Sequence, residues 1–382
     1  MTCCNFSVPV SCLAVVAILG LSTIHLYRKI EKEPVSVTTA TTESDGRTEE
    51  YPFPILEYPL EIDNASEFLD LIMLGQPSPY DEINPEFKNM QFFSYSRSTC
   101  QEDLDILILV KSVVFNKADR DFHRSTWANL PYLSKFSENI QVVFLVGVPE
   151  ETPDQILLQD EMNIHHDIVQ GDFIDNNFDT TVKVLGGLTW AHNFCKNFKF
   201  LAFINSDVYF SLENTIKFLR DPQFYPAKRK RSILKTNKNP LSLDKLSQTD
   251  FFAGGVTPFN LGIPGRTDDD GGPILVTNEE YSPQVFPIYV RSPFQILSQQ
   301  VASKFYHLAP FVQYLYPEEI YLGLLANKLR IQPVNTDYIK DQLFVTIGEN
   351  KTLWKSFKNL ICLHNLLLEE RHMLWSYFNP VH

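Results

Sequence analysis

The stretch KFLAFINSDVYF, residues 199–210, runs apolar from Phe200 to Ile204, meets Asn205, Ser206 and Asp207, and then resumes with Val208, Tyr209 and Phe210. In open parallel sheets, ligands sit beyond the carboxyl ends of the strands. A buried strand that ends on Asn-Ser-Asp delivers oxygen atoms to that crevice. A carboxylate there suits a hard divalent cation that also holds a diphosphate. The same carboxylate can instead cap a helix beginning near Leu212, and the sequence leaves both readings standing. Cysteine offers less. Cys100, Cys195 and Cys362 are the thiols beyond the N-terminal apolar run, an odd number that allows one internal bridge and leaves one thiol free. No CxxC pair occurs, which argues against structural zinc.

The elements that must carry this chemistry are legible as apolar runs. LDILILVKSVV (104–114) and IQVVFLVGV (140–148) read as strands buried on both faces, and DIVQGDF (167–173) as a shorter third. ADRDFHRSTWANL has helical character, residues 152–163 look helical, and TTVKVLGGLTWAHNFC (180–195) repeats its apolar positions every three to four residues. Strand and helix alternate, so the expected class is α/β with a mostly parallel sheet. Residues 222–285 are rich in Pro, Gly and Asp and read as loops and hairpins built onto that sheet.

Composition limits the partners. A net charge of −13 argues against nucleic acid, and 13% aromatic residues argue against disorder. The basic run Lys228–Arg231 reads as a solvated loop. Residues 8–27 are apolar or small and long enough to cross a bilayer, and the preceding seven residues lack the Lys or Arg of a cleaved signal peptide, which favours an uncleaved signal anchor. Residues 28–99 then form a flexible stem rich at first in Thr, Ser, Glu and Pro. Orientation is contested: Arg28, Lys29 and Lys32 place the large part in the cytosol, whereas the sequons at Asn64 and Asn350 have meaning only in a lumen.

Several segments, in order, resemble the Golgi β-1,3-glycosyltransferases, the galactosyl- and N-acetylglucosaminyltransferases of glycosyltransferase family 31. RDFHRSTW (120–127) is similar to the family's R-x-x-I-R-x-T-W block, and HDIVQGDFIDNNFDTTVKVLGGLTW (166–190) to its D-I-I-x-x-D-F block. INSDVYF stands where the family has Asp-Asp-Asp-Val-Phe, YPEEIYLG (316–323) resembles its E-D-V-Y-x-G block, and CLHNLLLEERHMLW (362–375) resembles its C-terminal end. The resemblance covers roughly residues 100–382.

It implies a type II membrane protein: a cytosolic tail (1–7), an anchor (8–27), a stem (28–99) and a lumenal domain of GT-A fold (100–382). It implies a Cys100–Cys195 disulfide, a UDP-sugar donor, a glycan acceptor on protein or lipid, and Mn²⁺ held by Asp207 with His364 as second ligand. His364 can equally be an ordinary histidine near a helix start. Arg124 and Lys183 would lie near the nucleotide, Asp172 and Asp175 would line its pocket or cap the following helix, and Asn205 and Ser206 would face the donor. Because the family inverts the sugar carbon in one displacement, a carboxylate must take the acceptor's proton: Glu319, with Glu318 beside it. Trp127 and Trp190 would pack the core. Whether two copies form a homodimer stays open.

Departures gather at the chemistry. Two of the family's three acidic residues are Asn205 and Ser206, and a glycine-rich turn after Tyr289 has become Arg291-Ser292-Pro293, which narrows the space for a ligand. Asp268-Asp269-Asp270 copies the metal motif but has no strand leading into it, and reads as a solvated loop. A catalytically silent relative that binds a glycan or a partner is therefore the alternative, and a membrane-tethered scaffold with a cytosolic domain a second one.

Overall fold

Four apolar runs make the centre of a sheet: β1 (Leu104–Lys111), β2 (Ile140–Val148), β3 (Ile168–Ile174) and β4 (Phe198–Asn205). In the computed structural model, which describes residues 65–93, 100, 103–175, 180–226, 242–257, 281–283, 285–341 and 355–380, these strands are mutually parallel. They sit in a seven-stranded sheet of order β3-β2-β1-β4-β7-β6-β8, completed by β6 (Phe252–Thr257), β7 (Tyr289–Ser298) and β8 (Val334–Asn335). β7 runs antiparallel to β4 and β6, while β6 and β8 are parallel. The expectation of a mixed α/β chain with a mostly parallel sheet holds.

Helices cover both faces, which is why β1 and β4 lack polar alternation. Over one face lie α1 (Ala65–Met73), α4 (Thr180–Phe194), α6 (Gln299–Leu308) and α7 (Glu318–Lys328). Phe68, Leu185, Phe305 and Leu325 from them pack with Leu107, Leu109, Leu145, Leu201 and Phe203. Against the other face lie α2 (Lys117–Ser125), α3 (Thr152–His165) and α5 (Leu212–Arg220): Met162 and Ile216 pack with Ile108, Phe144, Phe200 and Ile204, and the His123 ring of α2 lies 6.2 Å from that of Phe144, centroid to centroid. α4 approaches closest at Gly187, where an added Cβ would fall 2.6 Å from the Phe203 ring. A small second sheet of β5 (Tyr209–Phe210), β10 (Cys362–His364) and β9 (Ile339–Asp341) leads into α8 (Leu368–Phe378).

Three expectations change. Residues 65–93, read as stem, are folded onto the domain: Phe68 and Leu69 are in the core, and Asn84 donates from Nδ2 to the Val312 carbonyl at 2.6 Å. An amphipathic nine-residue helix gave too short a period to stand out beside a Thr- and Pro-rich tract. The loop-rich region 222–285 contains β6, whose Gly254-Gly255 pair breaks the apolar pattern of a strand. The turn expected after Tyr289 is β7 itself, with a register shift opposite Gly254 and Gly255. The anchor 8–27, the sequons at Asn64 and Asn350, Lys228–Arg231 and Asp268–Asp270 lie outside the described residues. Among the described residues no helix is long and apolar enough to cross a membrane.

Candidate active site

Parallel register brings Lys111, the last residue of β1, beside Asn205, the last of β4. The Ser206 N–H donates to the Lys111 carbonyl at 3.0 Å, so the Asn205-Ser206-Asp207 turn is tied to β1. From beneath, two buried side chains grip the Ser206 carbonyl: His123 Nε2 at 2.8 Å and Arg371 Nη1 at 2.9 Å. Trp127 Nε1 donates to His123 Nδ1 at 2.8 Å, which leaves Nε2 as the donor to Ser206. Burial pushes the His123 pKa down to about 3 against the pull of that carbonyl, so the imidazole is neutral. Asp119, paired with Arg371 at 2.5 Å, completes the support.

Asp207 projects from this turn. Two residues on, Tyr209 pairs with Leu363 in the antiparallel β5–β10 ladder, and His364 is thereby brought back to Asp207. His364 Nε2 lies 3.1 Å from Asp207 Oδ2, both side chains being half-buried. Burial alone would raise the Asp207 pKa, but the hydrogen bond and charge of His364 prevail and hold it below the ordinary aspartate value. The helix-capping alternative does not apply: the N-cap of α5 is Ser211, whose side chain accepts from the Asn214 N–H.

Across the crevice, α7 begins with Glu318 and Glu319 in its first turn, where the helix dipole favours carboxylates. Glu318 is buried and forms an ion pair with Lys111. Lys111 Nζ also donates to Ser292 Oγ at 3.1 Å, and Ser292 Oγ donates to Asn205 Oδ1 at 3.1 Å. β1, β4, β7 and α7 are therefore joined through Glu318, Lys111, Ser292 and Asn205. Glu319 is half-buried and, one residue further along the helix, is turned about 100° from Glu318.

The remaining expected residues divide. Lys183 and Asp175 meet at 2.6 Å in a buried pair. Lys183 also donates to the Ser112 carbonyl at 2.6 Å, and Asp175 accepts from the Val114 N–H. The pair knits α4 to the loop after β1. Burial lowers the Lys183 pKa, opposed by Asp175. Arg124 stands apart: Nε and Nη2 bond both oxygens of Asp167, and Nη1 bonds Glu161 and Asp121. Asp172 is exposed on the β3 edge, away from the Asp207 turn. Trp127 and Trp190 are buried, as expected. Lys111, His123 and Arg371 are site-forming residues that motif reading passes over, and Ser292, noted there only as narrowing the space, proves to be a hydrogen-bond link in the site. Lys111 was hidden because it is a lone cation within the apolar run LDILILVKSVV, with no motif around it to mark a role.

Among the described residues no three His, Cys, Asp or Glu side chains converge as a metal site. Asp207 and His364 nonetheless fit a shared divalent cation. Their donor atoms are 3.1 Å apart, close to the edge of an octahedron with bonds of roughly 2.1 Å, which is roughly 3.0 Å. The carboxylate is of the type that suits such cations, and a diphosphate would supply further oxygens.

The chain is similar in sequence to known glycosyltransferases. The human lactosylceramide 1,3-N-acetyl-beta-D-glucosaminyltransferase is 28% identical over 296 residues, covering 75% of this chain and 69% of that protein. Its mouse counterpart is 28% identical, with 61% of its length spanned. Mouse beta-1,3-galactosyltransferase 1 is 26% identical over 308 residues, covering 77% of this chain and 79% of that one. Similarity to the solved galactosyltransferase LgtC in complex with donor and acceptor sugar analogs is faint, at a TM-score of 0.30 and 9% identity over 73% of this chain and 98% of that one. The galactosyltransferase family model matches residues 118–337, which span β1's successor α2 through β8 and most of the crevice. The chain belongs to the galactosyltransferase family, with a glycosyltransferase domain over those residues.

Proposed function

We propose that this chain is an inverting β-1,3-glycosyltransferase of GT-A fold. It moves a hexose or N-acetylhexosamine, galactose in the first instance, from a UDP-sugar to a hydroxyl of a glycoprotein or glycolipid. The observation that carries the reading is the placement of Asp207, on the turn after β4, with His364, at the end of β10, beside the Glu318-Glu319 start of α7, the β4 end and α7 being joined through Lys111, Ser292 and Asn205. Asp207 and His364 would hold the divalent cation, Mn²⁺ by family resemblance, which when bound offsets charge developing on the departing diphosphate.

Glu319, which stands where the family has its Asp, is the base in this reading, and Glu318 is paired with Lys111. The acceptor oxygen forms its bond to the anomeric carbon as the bond from that carbon to the diphosphate oxygen breaks. The hydroxyl proton passes to the Glu319 carboxylate, and the electron pair leaves with the diphosphate. His123 and Arg371 fix the Ser206 carbonyl, so Asp207 is positioned before any ligand arrives. The Cys100–Cys195 disulfide supports an oxidising compartment, and with it a single-pass type II protein of the Golgi membrane.

A donor panel tests this. With Mn²⁺ and UDP-Gal, UDP-GlcNAc or UDP-GalNAc, Glu319→Gln should lower kcat by about 10²–10⁴-fold with UDP affinity nearly unchanged. A wild-type chain that binds UDP but transfers no sugar to any acceptor overturns the reading in favour of the silent relative. If Glu318→Gln cripples catalysis and Glu319→Gln does not, the two carboxylates have exchanged roles.

A further inference from the structure

Beside β3, outside the crevice just described, a second cleft of about 510 Å³ opens between α4 and residues 86–90. Met90, Val182 and Tyr314 are half-buried and form its floor; Glu86, Asn89 and Asp172 are exposed along its rim. The wall is firmly seated. Thr189 Oγ1 donates to the Phe87 carbonyl at 2.7 Å, Asn84 bonds the Val312 carbonyl, and Phe92 bridges to Gly171 on β3. Phe87 also lines the cleft and lies 6.1 Å from Tyr314, centroid to centroid.

This surface has a definite chemistry. An apolar floor meets the C–H face of a pyranose, and rim carboxylates and an amide accept from its hydroxyls. No Lys or Arg lines the cleft among the described residues, which disfavours phosphate, nucleic acid or an acidic sugar.

The cleft also adjoins the crevice. Thr181 Oγ1 donates to the Leu315 carbonyl at 2.9 Å, and of its neighbours on α4, Val182 faces the cleft while Lys183 reaches the end of β1. Tyr314 stands four residues before Glu318, a step that spans at most roughly 14 Å, the reach of a short oligosaccharide. We infer that this cleft is a subsite for the neutral sugars of the acceptor that lie beyond the residue receiving the new linkage. The inference rests on the transferase reading above.

Binding, measured without donor, tests it on the full chain. The probes are a neutral β-linked tetrasaccharide of galactose and N-acetylglucosamine and its terminal disaccharide, observed by saturation-transfer NMR. The tetrasaccharide should bind about tenfold tighter, and the exposed pair Glu86→Gln with Asn89→Ala should remove that advantage, as loss of two hydrogen bonds predicts. UDP binding by the same variant, followed by calorimetry, shows that it is folded. Equal affinity for the two glycans, no tetrasaccharide binding at millimolar concentration, or an unaltered variant overturns the subsite. So does displacement by a basic peptide with strong salt dependence, which reassigns the cleft to a cationic ligand. Transfer assays separate this outcome from the enzyme's own: transfer without a length preference removes the cleft alone, while length-dependent binding without transfer upholds the cleft and removes the enzyme.

Discussion

Lys111 carries the tightest set of obligations in the crevice, since it neutralises a buried Glu318 and donates to Ser292. Lys111→Met strands a buried carboxylate and should destabilise the domain by about 3–5 kcal/mol. Pairing it with Glu318→Gln should restore a substantial part, and chemical denaturation of the four chains in the cycle measures this. Asp207 makes a different prediction. Because His364 holds its pKa below the ordinary value, the charged form and its contribution are complete above the ordinary aspartate range and are lost as pH falls through the lowered value. His364→Gln should therefore move the Asp207 carboxyl titration, followed by NMR in metal-free protein, to higher pH. Asp207→Asn should abolish the Mn²⁺-dependent part of UDP affinity. At this scale the sequence was informative where a motif could be quoted, as for Asp207 and Glu318. It was silent where a role depends on long-range contact: His123 meets Ser206 across 83 residues and Arg371 across 165.

At the scale of elements, Gly187 lets α4 come close to the sheet, where its Leu185 and Leu188 side chains pack into the core. Gly187→Ala must displace the Phe203 ring or lift the helix, and should cost about 1–3 kcal/mol by overpacking. The denaturation midpoint should fall while UDP affinity in the folded protein changes little. β1, β2 and α4 were readable because each is covered on one or both faces by a continuous apolar set. β6 and β7 were not readable as a pair. β6 is half glycine and small residues, and β7 holds Arg291, Ser292 and Pro293 at its register shift, residues that locally resemble a turn. The β5–β10 ladder, two to three residues long, falls below any periodic signal, yet it alone explains why His364 stands beside Asp207.

Across the whole molecule, the Cys100–Cys195 disulfide joins the approach to β1 to the residue after α4, over a separation of 95 residues. Cys195→Ser should lower stability by about 2–5 kcal/mol, read from the denaturation midpoint. Cys362, fully buried and outside any bridge, should escape site-resolved thiol labelling until the chain unfolds. The same architecture bears on how the chain is made. Phe200 of β4 pairs with Ser298 of β7, so β4 leaves the ribosome roughly a hundred residues before its partner; at roughly 5–20 residues per second the wait is on the order of 5–20 s. Throughout that interval β4 presents a bare apolar edge to any strand nearby. Synthesis halted just before Tyr289 would freeze the nascent chain in that state, and chaperones crosslinked to β4 there should be released once β7 has been translated.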